Sequence, residues 1–252
     1  MSRIIAVVNH KGGVGKTTTT LNLGKALSLQ GKKVLLIDND PQANLSQSVG
    51  IDEPEQAISE VYQVNKENPL PIEKLTDNLA IAVADLGLAE AEVKLQTDVN
   101  AYFKLKQAVA KVAHEYDYIF IDCPPSLGIL TINALIAAKE VFLIVQSQYL
   151  AIKGLNTIVE LIEALKKNLN PSLEMTGLLF TQVGRNVITK SIMEAVENAH
   201  KAYVFNTFIR QNIAIVEASA SHQDIFSYNE KALAAEDYRN LAQEILEKET
   251  LS

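Results

Sequence analysis

Apolar residues along the chain fall into short unbroken runs, separated by longer stretches with helical spacing. The runs are Ile4 to Val8, "KVLLID" (33–38), "LAIAVA" (79–84), "YDYIFID" (116–122), "EVFLIVQ" (140–146) and "TGLLFTQV" (176–183). Four to eight consecutive apolar, often β-branched residues predict strands covered on both faces. Between most of them lie amphipathic stretches: Thr18 to Leu29, with Leu21, Leu23, Ala26, Leu27 and Leu29 at helical spacing, then 90–113, 150–167 and 187–201. Strands alternating with helices predict an α/β fold, a mostly parallel, twisted sheet with helices on both faces. In such folds ligands sit beyond the carboxyl ends of the strands, so the chemistry is sought there. Residues 50 to 78, with Pro54, Pro69 and Pro71 among polar neighbours, read as a surface excursion. The chain has 252 residues, 48% of them hydrophobic, and no Pro-, Gly- or Ser-rich linker divides it. One domain over 1–252 is the expectation.

The first strand runs into "NHKGGVGKTTTTLNLGKAL". Gly12, Gly13 and Gly15 permit backbone angles closed to other residues, so successive N–H groups can converge on one anion. The following helix points its positive end at the same place. Lys16 would reach the β/γ-phosphates of a nucleotide, and the Thr17 hydroxyl would ligate Mg²⁺. His10 occupies the first glycine position of the strict G-x-x-x-x-G-K-[ST] pattern. "YIFIDCPPSLG" supplies a buried strand ending in Asp122, an acid placed to hold Mg²⁺ directly or through water. Pro124 and Pro125 stiffen its exit and Gly128 loosens it, as a switch responsive to the γ-phosphate requires. "VLLIDNDPQANLS" ends its strand at Asp38, with Asp40 two residues on.

"KGGVGKTT" resembles the deviant Walker A motif of the ParA/MinD family of P-loop ATPases, and the likeness extends over nearly the whole chain. It implies that Lys11 crosses a dimer interface to the partner's phosphates, which would make dimerisation depend on nucleotide. "DNDPQAN" matches the family's D-x-D-P-Q-x-N segment; by that resemblance Asp40 orients or activates the attacking water and Asp38 lies near the metal's outer shell. Lys11, Lys16 and Asp40 are then the catalytic residues. The nucleotide contacts are Lys11, Gly12, Gly13, Val14, Gly15, Lys16, Thr17, Thr18 and Asn212, and the metal residues are Thr17, Asp38 and Asp122. ATP and Mg²⁺ are the implied cofactors. The implied activity is a weak ATPase that dimerises on ATP, holds DNA without sequence preference, and is released by a ParB-like partner that stimulates hydrolysis. Its cargo would be a plasmid, a chromosome or a protein organelle.

The DNA surface is where the sequence departs from its family. "TQVGRNVITKS" (181–191) resembles the segment that approaches the adenine and carries a DNA-binding arginine, matched by Arg185. Chromosomal ParA relatives commonly read I-P-R-N-V-R where this chain has Ile209-Arg210-Gln211-Asn212-Ile213-Ala214. The proline and both arginine positions are changed, and Arg210 is displaced by one residue. Candidate DNA contacts are Arg185, Lys190, Lys201 and Arg210. A net charge of −7 argues against nucleic-acid binding by the average surface, so these cations would have to act as one patch.

Other classes fit less well. A MinD-like ATPase on a membrane or protein track is the alternative, but the tail "AAEDYRNLAQEILEKETLS" is amphipathic and acid-rich, which an anionic membrane repels. Metal-carrier relatives need several cysteines at a dimer interface, and this chain has only Cys123. One cysteine excludes an intramolecular disulfide and suits a reducing compartment; with no signal-peptide pattern and no apolar run near the ~18 residues of a span, a cytoplasmic protein is expected. No N-K-x-D motif reads guanine. The four histidines show no ligand spacing. The phosphate loop begins at residue 11, so no N-terminal helix-turn-helix extension is expected.

Overall fold

A computed structural model describes residues 2–64, 66–95, 101–146, 151–184 and 187–251. In chain order its elements are β1 (Arg3–Val8), α1 (Lys16–Leu29), β2 (Val34–Asp38), α2 (Asn44–Ser48), β3 (Ile72–Thr76), β4 (Leu79–Ala82), α3 (Gly87–Leu95), α4 (Lys104–Val112), β5 (Tyr118–Asp122), α5 (Ile129–Ala137), β6 (Glu140–Gln146), α6 (Ala151–Asn168), β7 (Glu174–Thr181), α7 (Val187–His200), α8 (Ile213–Ala220), α9 (Ile225–Asn229) and α10 (Leu233–Leu251). One seven-stranded sheet runs in the order β3-β4-β2-β5-β1-β6-β7. Every pairing is parallel except β3 with β4, which is antiparallel.

Alternation along β1 divides the core. Ile4, Ala6 and Val8 join a cluster with α3, α4, α5, α6 and α7, whereas Ile5 and Val7 join a cluster with α1, α8, α9 and α10. The sheet is therefore covered on both faces, as continuous apolar strands require. Within α1, Gly24 would be a poor helix former, yet a Cβ there would stand 2.6 Å from Leu36 of β2, and its absence lets the helix lie close on the sheet. Beyond β7, residues 203–211 run parallel to its edge through Leu178–Val204 and Val183–Arg210 bridges. They shield that edge strand.

Two expectations are corrected. The excursion at 50–78 ends in strand β3, and it buries Ala57, Ile58, Val61, Tyr62 and Leu70 in the core. The helix expected at 90–113 is two helices, α3 and α4, with a 3₁₀ turn at Ala101–Phe103 before the second.

Candidate active site

The parallel register brings the carboxyl ends of β1, β2 and β5 side by side: Val7 pairs with Asp122, and Asp38 with Asp122. The loops leaving these three strands carry the glycines and both acid motifs. Gly13 and Gly15 take left-handed φ values of 73° and 92°, a conformation that a side chain at either position would strain. Gly15 opens α1 with no side-chain cap and no acidic residue in the first turn, so the helix presents uncapped N–H groups to an anion. Lys16 is buried and its ammonium donates to the Lys11 carbonyl, 3.3 Å away. Burial pushes its pKa down, against the pull of Asp122, Cys123 and Asp40. A cleft of about 690 Å³ opens over this loop, lined by Gly12, Gly13, Gly15, Lys16, Thr17 and Thr18, with Asp40, Gln42, Pro125, Gln182 and Val216 among the other residues around it. Val14 contributes its side chain to the core, and its carbonyl accepts from Thr181 Oγ1 at 2.6 Å.

Thr17 Oγ1 donates to Asp122 Oδ2 at 2.6 Å, while Asp122 Oδ1 is buried with no hydrogen-bond partner among the described residues. Burial and the Asp38 carboxylate push Asp122 well above the usual carboxylate range. Asp38, also buried, is pushed up to about 6 by desolvation, partly offset by the amide and hydroxyl of Ser46 at 2.8 and 2.7 Å. Three carboxylates with one lysine leave a local excess of negative charge, which a divalent cation would relieve. A hydroxyl and a partnerless carboxylate oxygen are hard donors that suit Mg²⁺, whose remaining ligands come from phosphates and water. Among the described residues no group of three or more His, Cys, Asp or Glu side chains is placed to hold a metal ion.

Asp40 is buried at the cleft wall, where its Oδ1 accepts from the Gln42 amide at 3.0 Å. The loop that holds it turns through Ala43, at φ 52°, directing Ser46 back to Asp38. Gly128, expected to supply mobility, has a second role: a Cβ there would stand 2.9 Å from the Glu92 carboxylate. Lys11 is half-buried with its ammonium 3.4 Å from Gln146 Oε1 at the end of β6. His10, in the place of the usual first glycine, is exposed.

Spacing alone did not reveal the braces behind the phosphate loop. Gln182 Nε2 donates to the Gly13 carbonyl at 2.7 Å and its Oε1 accepts from Gln146 at 2.6 Å, with Thr181 on Val14 beside them. All three follow or end β6 and β7, so the strand-end rule could have found them. Asn212 lies outside the cleft lining and instead caps α8, accepting from the Ala214 amide at 2.9 Å.

The expected DNA contacts have different surroundings. Arg185 lies outside the described residues. Lys190 is exposed on α7, 3.8 Å from Glu194, and Lys201 is exposed beyond it. Arg210 lies along the surface of α10: its Nε reaches Asp237 at 2.9 and 3.0 Å and its terminal nitrogen reaches Glu236 at 2.8 Å. These carboxylates raise its already high pKa.

With this geometry, comparison with known proteins is direct. A family model described as "AAA domain" matches residues 2–175. The sporulation initiation inhibitor protein Soj of Bacillus subtilis is 39% identical over 250 residues, spanning 97% of this chain and 98% of Soj. The chain belongs to the ParA/Soj family. The chromosome partitioning protein ParA of Myxococcus xanthus is 37% identical over 99% of this chain and 90% of its own length. Among solved structures, cobyrinic acid a,c-diamide synthase from Mycobacterium smegmatis with bound ATP analog and magnesium superposes with a TM-score of 0.83 at 31% identity, over 98% of this chain and 95% of that one. In this chain the glycine loop and Asp40 line the cleft, with Asp38 and Asp122 fully buried behind it.

Proposed function

We propose that this chain is a ParA-type ATPase that binds ATP with Mg²⁺, dimerises around it, and hydrolyses it weakly until a ParB-like partner stimulates the step. The observation that carries this reading is the cleft itself, where uncapped helix amides, Lys16, the Thr17–Asp122 pair and Asp40 converge. The loop and helix amides with Lys16 would cradle the phosphates. Thr17 and Asp122, with Asp38 behind them, would hold Mg²⁺, which neutralises developing charge on the phosphates. Asp40 would orient the attacking water, since phosphoryl transfer needs positioning more than covalent help. Lys11, held at the rim by Gln146, would swing across to the partner's nucleotide. The cycle positions or segregates DNA or another cargo in the cytoplasm, on the nucleoid where DNA serves as the track.

A second reading, a protein track in the MinD manner, rests on the face where relatives carry arginines. Here Phe208, Ile213 and Val216 are solvent-exposed and Arg210 is ion-paired. Lipid is disfavoured as that track, because α10 buries Ala234, Ala235, Tyr238, Leu241 and Ile245 in the core. Among the described residues no helix is long and apolar enough to cross a membrane.

The test is phosphate release beside ATP binding. Asp40→Ala should bind Mg²⁺-ATP within a fewfold of wild type and release phosphate at least tenfold more slowly, about 1.4 kcal/mol or more in the barrier. Unchanged release would remove Asp40 from this role.

A further inference from the structure

The stretch at 50–78 carries a buried polar group that the mechanism above leaves unused. Tyr62 is fully buried there. A tyrosine hydroxyl in the core needs a partner. It donates to Asn39 Oδ1 at 2.6 Å. Asn39, equally buried, lies between Asp38 and Asp40. Its Nδ2 donates to the Leu130 carbonyl at 2.9 Å, and its backbone N–H to the Asp122 carbonyl at 3.0 Å. A carbonyl only accepts, so the Leu130 contact fixes which way the amide faces and leaves Oδ1 toward the hydroxyl. Asn39 therefore joins three places: the end of β5, the start of α5 beyond the Pro-Pro loop, and the excursion. The excursion is itself anchored beside β4 by the Ile58 amide on the Val83 carbonyl, 2.8 Å.

We infer that Tyr62 is a positioning residue for hydrolysis, holding Asn39 and with it Asp40 at the cleft wall and Asp38 buried behind it. The inference rests on the hydrolytic reading above. Replacing the hydroxyl by hydrogen leaves Asn39 Oδ1 buried with no donor among the described residues, so the amide and the backbone at 38–40 relax toward another partner. Displacements of this kind near a reacting group lower turnover without weakening a phosphate grip that lies elsewhere, in Lys16 and Thr17. A purely structural tyrosine would behave differently: its loss would lower stability while each folded molecule turned over normally.

The measurement is ATP turnover by the purified full chain at saturating Mg²⁺-ATP, with KM and equilibrium binding of a fluorescent ATP analogue alongside. Tyr62→Phe should lower kcat about tenfold, with KM and analogue affinity within about twofold of wild type. Asn39→Ser should do the same, and the double variant should lose no more than either single one, because both cut one link. A kcat for folded Tyr62→Phe equal to wild type overturns the inference. Should Tyr62→Phe fail to fold, Asn39→Ser decides alone by the same criterion. Should the wild type release no phosphate, the hydrolytic reading fails separately. The link is then read from hydrogen exchange of the amides at 38–43: faster exchange in Tyr62→Phe supports it, and unchanged exchange overturns it.

Discussion

Lys11 and Lys16 sit five positions apart, and the structure gives them different surroundings. Lys16 is buried and folded over the loop onto the Lys11 carbonyl, while the Lys11 ammonium reaches outward to Gln146. Only Lys16 can serve the phosphates of its own cleft without first breaking away from another strand. Lys16→Ala should therefore lower ATP affinity at least a hundredfold, about 2.7 kcal/mol, as charge-assisted contacts to phosphate warrant. Calorimetric titration with Mg²⁺-ATP measures it, and a loss of less than tenfold would contradict the role. Arg210 makes the complementary point. Its sequence neighbours suggested a DNA contact, but Asp237 and Glu236 have taken its guanidinium, and sequence spacing cannot show a partner twenty-seven residues away.

Helix α10 owes its place to that same segment before α8. Glu244 accepts from the Asn206 and Thr207 amides, each at 2.9 Å, and pairs with Lys248 at 3.2 Å. Burial raises its pKa, and the hydrogen bonds from residues 206, 207 and 248 outweigh it, so the net value falls below the ordinary 4.5. A lowered carboxylate pKa stabilises the fold fully above the unfolded value, and the contribution fades as pH drops through the folded one. Glu244→Gln should thus cost about 1–2 kcal/mol at pH 7. The gap to wild type should close in acid, where both chains carry a neutral group. Urea denaturation at a series of pH values checks this, and a gap that stays constant into acid would count against it.

The strands flanking the site were legible because unbroken apolar runs survive wherever both faces are covered. β3 was not: Glu73 and Lys74 interrupt it, prolines precede it, and it pairs on one side only. The helix expected at 90–113 took in the 3₁₀ turn at Ala101–Phe103, whose short tight turn leaves no break in the apolar pattern; residues 96–100 of that expectation lie outside the described residues. The glycine loop, Asp40 and Asp122 were readable since each motif is contiguous. Ser46 and Tyr62 were hidden, because what defines them is a contact made through the fold. Lys104 belongs with them, its buried ammonium holding the Gln63 and Lys66 carbonyls of the excursion at 3.1 and 3.3 Å.

At the scale of the whole molecule, a net charge of −7 decides how DNA could be held. With Arg210 spent on α10, Lys190, Lys201 and Arg185 remain as candidates, about three phosphate contacts for one chain and about six for a dimer. The logarithm of affinity should then fall with the logarithm of salt at a slope near −5 for the ATP dimer. Lys201→Ala should flatten that slope by about 2, one contact in each protomer, equally on unrelated duplexes, whereas Arg210→Ala should loosen α10 and leave the slope alone. Fluorescence anisotropy across a salt series reads both. No binding by the ATP state at low salt would favour the protein track.

All of this depends on two chains closing over nucleotide, with Lys11 as the link. Light scattering of Asp40→Ala with Mg²⁺-ATP measures that most directly. The account expects twice the 27.6 kDa chain mass with ATP, a single chain with ADP, and a single chain again when Lys11→Ala is added although ATP still binds. A Lys11→Ala, Asp40→Ala chain that dimerises with ATP as readily as Asp40→Ala alone would contradict it.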